Sequence, residues 1–355
     1  MIGTGVQTCA LPIYSRGSGW VNGRNKSTHT TSKSRPGHST SLLPWVPHKT
    51  PFFVKASPMP IPSNDPIINA PLVTPFDSAD RVDLDAVSRN VERWLKTPLD
   101  GFLVGSMTGE EGFLSEAEKL AVAKTVAETL DDKRFLMGGI DCPSVTETLR
   151  RAEAFADVGA ELVRIRLPRG ESTIVEYFEH VLPRCPLPVL LMHQCIPERF
   201  GLAGPPAATP EVIGRVAAMD NVFGYVTDHD VRFETRVRWH VPADRRFWIC
   251  NGSLILSGAM IGCNGTTTAF SNIWPAALRE LLQYGIAGKY DEGRDLQEKV
   301  QRIDAIMLPY LASGVKAALN LLGFEGTHPR APTKPMPSDD VARLEAVMRT
   351  AGLLE

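Results

Sequence analysis

The sequence predicts an α/β fold, a (β/α)8 (TIM) barrel with a C-terminal helical extension, on three observations. After Asp65, short apolar or β-branched runs alternate eight times with segments of helical period. The runs are apolar on both faces, as parallel strands covered by crossover helices must be. About 85 residues remain beyond the eighth run, and they too carry helical periodicity.

In chain order the predicted strands are 67–76, 101–107, 134–141, 162–168, 188–193, 222–228, 246–251 and 265–271. A helix over 83–95 joins the first pair. The next, over 115–130, opens with Ser115-x-x-Glu118. This is a capping box, in which the serine hydroxyl accepts the third amide of the helix and the glutamate reaches back to the serine amide. A third helix covers 145–158. Past the last strand, 278–284, 290–307, 309–322 and 338–351 read as helices, the last three forming the extension. The expected organisation is therefore a disordered or artefactual segment 1–64, a barrel 65–287 and a helical region 288–355.

Composition narrows the function classes. The 355 residues are 43% hydrophobic, and the longest apolar run, near Leu254, is too short to span a bilayer, so no membrane role is expected. The net charge of −2 hides a split. Residues 1–64 hold seven basic residues and no acid, leaving 31 basic against 40 acidic residues in the rest. A body of net charge −9 repels phosphate backbones, so no nucleic-acid partner is expected. Six cysteines without CxxC spacing point to a reducing, cytoplasmic setting. Segment 1–64 is rich in Ser, Thr, Gly and Pro, with no apolar period to bury. Its stretch MIGTGVQTCALPI reads as translated non-coding sequence, with Met59 as the start. The same basic, acid-free composition also fits an organellar transit peptide.

In such a barrel the reacting groups sit where strands end and βα loops begin. The first strand runs Ala70-Pro71-Leu72-Val73-Thr74-Pro75-Phe76 and the second ends Gly105-Ser106-Met107-Thr108-Gly109-Glu110. Further along come Leu187-Pro188-Val189-Leu190-Leu191, Pro197-Glu198-Arg199-Phe200-Gly201, Asn221-Val222-Phe223-Gly224, Gly262-Cys263-Asn264-Gly265, Asn272 with Pro275, and Val315-Lys316-Ala317-Ala318-Leu319. Together these residues, over about 67–353, resemble the dihydrodipicolinate synthase and N-acetylneuraminate lyase family. The resemblance implies a homotetramer or dimer, and lyase or aldolase chemistry on pyruvate-type 2-oxo acids.

That chemistry uses a lysine at the end of the sixth strand, whose iminium acts as an electron sink. Here the matching stretch is Gly224-Tyr225-Val226-Thr227-Asp228, with Val226 at the lysine's place. No lysine lies between Arg134 and Gly288, and none on the first two strands. Lys96, Lys119, Lys124 and Lys133 fall on or beside outer helices, and Lys316 corresponds to a lysine that the family keeps for structure. The hydroxyl residue before Thr-Gly-Glu is replaced by Met107. The proton-relay tyrosine's place falls on Met192 or Gln194, and the second tyrosine has no match near Pro168-Arg169-Gly170. The usual Schiff-base mechanism is therefore expected to be absent.

The catalytic candidates that remain are Thr108, Glu110, His193 and Asp228. Those for substrate binding are Ser106, Thr108, Arg164, Arg166, Arg199, Asn264 and Gly265. No organic cofactor is expected. A divalent ion on His193, Asp228 and His229 would stabilise an enolate as a Lewis acid, in place of the iminium. The bland alternative makes Asp228-His229-Asp230 a solvated loop and helix N-cap, and His193 a hydrogen-bonded barrel residue. Arg164 and Arg166 alternate along the fourth strand and so point the same way, inward. Either they clamp an acidic ligand together with Arg199, or they pair with Glu110, Asp141 or Asp228 in an ion network. Cys195 and Cys250, without a basic neighbour, read as packing thiols. The partner implied is an acidic small molecule. The readings are a lysine-independent lyase or aldolase on a 2-oxo acid or acidic sugar, an inactive carboxylate-binding paralogue, or a structural partner of active paralogues.

Overall fold

Eight parallel strands close on themselves in chain order in a computed structural model that describes residues 65–167, 171–193, 208–227 and 230–355. They are β1 (Ile67–Pro71), β2 (Gly101–Val104), β3 (Phe135–Ile140), β4 (Leu162–Arg166), β5 (Val189–Met192), β6 (Val222–Thr227), β7 (Arg246–Ile249) and β8 (Gly265–Thr267). Each stops short of the apolar run that predicts it, because the carboxyl ends leave the ladder for turns. After β2, for example, the Ser106 carbonyl accepts the amides of Gly109 and Glu111 instead of pairing with a strand.

Between the strands lie α1 (Leu84–Trp94), α2 (Glu116–Thr129), α3 (Val145–Asp157), α4 (Glu171–Val181), α5 (Pro210–Ala217), α6 (Val231–His240) and α7 (Ile255–Met260), with α8 (Pro275–Ile286) after β8. Asp83 caps α1, and Ser115 with Glu118 forms the complete capping box on α2. Helix α8 begins earlier than its periodicity suggests, since Pro275 needs no amide partner in a first turn. The extension holds α9 (Tyr290–Met307), α10 (Ala312–Leu321) and α11 (Ser338–Thr350). The helix expected over 309–322 is broken in two at Leu311, whose φ of 51° leaves the right-handed helical region. No described helix is long and apolar enough to cross a membrane.

Period-two alternation sorts the strand residues. Ile68, Phe102, Leu136, Val163, Leu191 and Phe247 pack outward into the main core under the helices. Leu103, Met137, Leu162, Leu190, Val226 and Trp248 fill the barrel interior. The residues beyond α10 are fastened back onto the first helices. Glu325 takes a two-pronged bond from Arg89 at 2.6 and 2.7 Å, and Arg330 reaches Glu118 at 2.7 Å.

Candidate functional site

Among the described residues, four charged side chains meet at the carboxyl ends of β2, β3 and β4. Arg164 and Arg166 point inward from β4, as their alternation requires. Asp141 follows the end of β3, and Glu111 opens a 3-10 turn after β2. Arg166 binds Glu111 at 2.8 Å and Asp141 through its other terminal nitrogen. Arg164 lies 3.5 Å from each of the same two carboxylates.

Two glycines make room for this cluster. The Gly105 carbonyl accepts Arg164 Nη2 at 2.7 Å. A Cβ on Gly139 would lie 1.8 Å from that carbonyl oxygen and 2.6 Å from the guanidinium nitrogen, so only glycine lets strand and arginine approach so closely. Arg164 Nη1 also donates to Met192 Sδ at 3.3 Å. Pinned in this way, its side chain is 1% exposed.

The two carboxyls are not equivalent. Burial opposes ionisation of Glu111, but Arg166 and Arg164 outweigh it and hold this carboxyl below the usual range. Burial pushes Asp141 up to about 6, against the pull of both arginines and with the charge of Glu111 adding to the rise.

Adjacent acids in sequence part company here. Glu110 has a φ of 59°, and this left-handed turn sends its side chain the opposite way from that of Glu111. Glu110 meets Lys316 of α10 at 2.6 Å, and both side chains are buried. Lys316 also donates to the His328 carbonyl at 2.7 Å and sits over the Phe76 ring, while the Arg330 amide donates to Glu110 at 2.8 Å. Burial pushes the Lys316 ammonium down to about 8, and Glu110 only partly offsets this. Glu110 is therefore not a partner of the strand-four arginines. It ties the β2 loop to the C-terminal helices.

Other expected placements change as well. His193 follows Met192, and alternation turns it to the helix side, where its buried ring stacks on Phe233 of α6 at 5.2 Å. Met192, not His193, faces the mouth. Asn264 and Gly265 lie at the opposite end of the barrel. The Asn264 side chain accepts the Phe247 amide at 3.2 Å, and Gly265 pairs with Ile67, the first residue of β1. The turn containing them precedes its strand, so it cannot reach a ligand at the carboxyl ends. Ser106 and Thr108 do lie in the turn after β2, both buried, with Ser106 Oγ accepting the Gly109 amide at 3.3 Å. Arg199, Asp228, His229 and Cys195 lie outside the described residues. Among the described residues no group of three or more His, Cys, Asp or Glu is placed to hold a metal ion.

What sequence reasoning missed is the division of labour between Glu110 and Glu111, and the space left by Gly105 and Gly139. The Gly138-Gly139 pair inside a strand was the available signal, because glycine there marks a close approach.

The charged cluster lies at the carboxyl ends of a closed eight-stranded barrel, the end at which barrel enzymes build their sites. The sequence pattern of the Dihydrodipicolinate synthetase family matches residues 66–351, and the chain belongs to that family. An uncharacterised DapA-like lyase of Halobacterium salinarum is 29% identical over 308 residues, covering 82% of this chain and 97% of the relative. A 4-hydroxy-tetrahydrodipicolinate synthase of Exiguobacterium is 24% identical, covering 78% and 94%. Among solved structures, a monomeric dihydrodipicolinate synthase variant superposes with a TM-score of 0.74 at 23% identity, covering 82% of this chain and 98% of that one. A prophage protein of the family from E. coli, solved with pyruvate, superposes with a TM-score of 0.72 at 20% identity, covering 81% and 99%.

Proposed function

We propose that the protein is a lyase or aldolase that takes a 2-oxo acid or acidic sugar in the barrel mouth and works on it without an iminium. The observation that carries this reading is Val226. It lies wholly buried in the barrel interior with Leu103, Leu190 and Trp248, at the place where the family resemblance sets the Schiff-base lysine. Among the described residues no lysine points into the barrel from any strand. The relative in Halobacterium, described as a lyase, and the E. coli structure with pyruvate support the reaction and substrate class. The mouth offers guanidiniums for a carboxylate and a carboxyl that exchanges its proton near neutral pH. The same reading makes the protein a cytoplasmic homo-oligomer, by likeness to the family.

Borohydride reduction in the presence of pyruvate, followed by intact mass spectrometry, tests the lysine-free mechanism. No covalent adduct is expected, and a stoichiometric mass gain mapped to any lysine would overturn it. Binding is the companion test. Calorimetry with small dicarboxylates and acidic sugars is expected to show association, and Arg199→Ala to weaken it by about 1.5 to 3 kcal/mol through a lost charge-assisted hydrogen bond. Equal affinity in the variant would remove Arg199 from the site. Binding without turnover of any panel member would favour the inactive carboxylate-binding alternative.

A further inference from the structure

We infer that Asp141 occupies the position of a ligand carboxylate, so that an acidic ligand binds by displacing it from Arg166 as Asp141 takes up a proton. This inference rests on the reading that the mouth receives a carboxylate. It goes further in naming the group that gives way and the charge that moves.

The charge balance of the cluster points there. Among the described residues, the guanidiniums of Arg164 and Arg166 face the carboxylates of Asp141 and Glu111, so with both acids ionised these four groups sum to zero charge. A carboxylate entering that neutral, half-buried group would leave it with an excess negative charge, which burial penalises. With Asp141 protonated the group carries +1, and one ligand carboxylate restores neutrality. The proton comes from solvent and resides on the Asp141 carboxyl, while the ligand's two oxygens take over the guanidinium contact.

The geometry singles out which acid moves. Arg164 cannot swing toward a ligand, since it is held by Gly105 and Met192. Of the four side chains Asp141 is the most exposed, at 26%, against 16% for Glu111, 12% for Arg166 and 1% for Arg164. Glu111 is held ionised by both arginines, whereas Asp141 is already pushed up to about 6, first by burial. Among the described residues, the other groups within electrostatic reach do not rival the arginines. Lys119 of α2 is near both carboxyls, with its ammonium depressed by burial, Arg151 of α3 lies beyond it, and Tyr177 of α4 stays protonated.

Pyruvate is a suitable probe because it remains ionised throughout the useful pH range. Titrating it calorimetrically in two buffers of different ionisation enthalpy reads protons taken up per ligand bound. With Asp141 pushed up to about 6, about 1% of it is expected to carry a proton at about pH 8. The apparent affinity should then be about 100-fold weaker than at about pH 5, with one proton taken up per pyruvate. At about pH 5 little uptake should remain. Asp141→Asn should bind pyruvate about 100-fold more tightly than the parent at about pH 8, without proton uptake and without pH dependence. At about pH 8, pyruvate binding to the parent without proton uptake, or an Asp141→Asn variant no tighter than the parent, overturns the role of Asp141 and leaves the acid-binding mouth standing. If neither protein binds pyruvate at either pH, the acid-binding mouth falls, and this inference with it. Should Asp141→Asn fail to fold, proton uptake by the parent decides alone.

Discussion

Replacing Lys316 with methionine is expected to cost about 3 to 5 kcal/mol of stability and to lower the melting temperature by roughly 5 to 15 °C. Methionine fills the volume but leaves the Glu110 carboxylate buried, without the ammonium 2.6 Å away. The substitution also removes the bond to the His328 carbonyl and the cation over Phe76. Glu110 keeps the Arg330 amide, which cannot neutralise it. The double variant Lys316→Met with Glu110→Gln should recover much of the loss, because no unpaired charge is then buried. Thermal and urea unfolding of the single and double variants provide the check. A single-variant loss under about 1 kcal/mol would show that the pair does not hold the C-terminal helices to the β2 loop.

Val226→Lys is expected to restore no pyruvate-dependent turnover and to lose about 2 to 4 kcal/mol of stability. The longer side chain overfills a packed interior of Leu103, Met137, Leu190 and Trp248, and its amine must either stay neutral or desolvate a charge there. An amine at that place also lacks proton-transfer partners: Met192 faces the mouth beside it, and His193 is turned away onto Phe233. Val226→Met separates the packing cost from the cost of the amine. Measurable turnover of pyruvate with an aldehyde by Val226→Lys alone would show that the rest of the mouth is still built for the iminium route.

How far the site could be read in advance depended on the kind of signal. The inward direction of Arg164 and Arg166 follows from alternation alone, because a strand buried on both faces has room for charge only where a partner waits inside. Their partners did not follow. Glu110 and Glu111 are neighbours with equal claims until one left-handed residue sends them apart, and the backbone angle at Glu110 leaves no trace in composition or period. His193 shows the converse error. A strand-end position suggested the mouth, although the same period-two rule that placed the arginines inward turns this residue to the helix side.

By itself the sequence determined the architecture, since eight alternations of apolar runs and helical segments bury their surfaces in few other ways, and a capping box such as Ser115 with Glu118 is a local matter of four residues. It also determined that no lysine is available between residues 134 and 288. Only the tertiary structure decided which charges meet. It joined Asp141 to Arg166 across two strands and Glu110 to Lys316 across more than two hundred residues of chain. It also opened the space for Arg164 at Gly105 and Gly139. Ion pairing acts over a few ångströms in space and is indifferent to distance along the chain, so these contacts exist only once the barrel has closed.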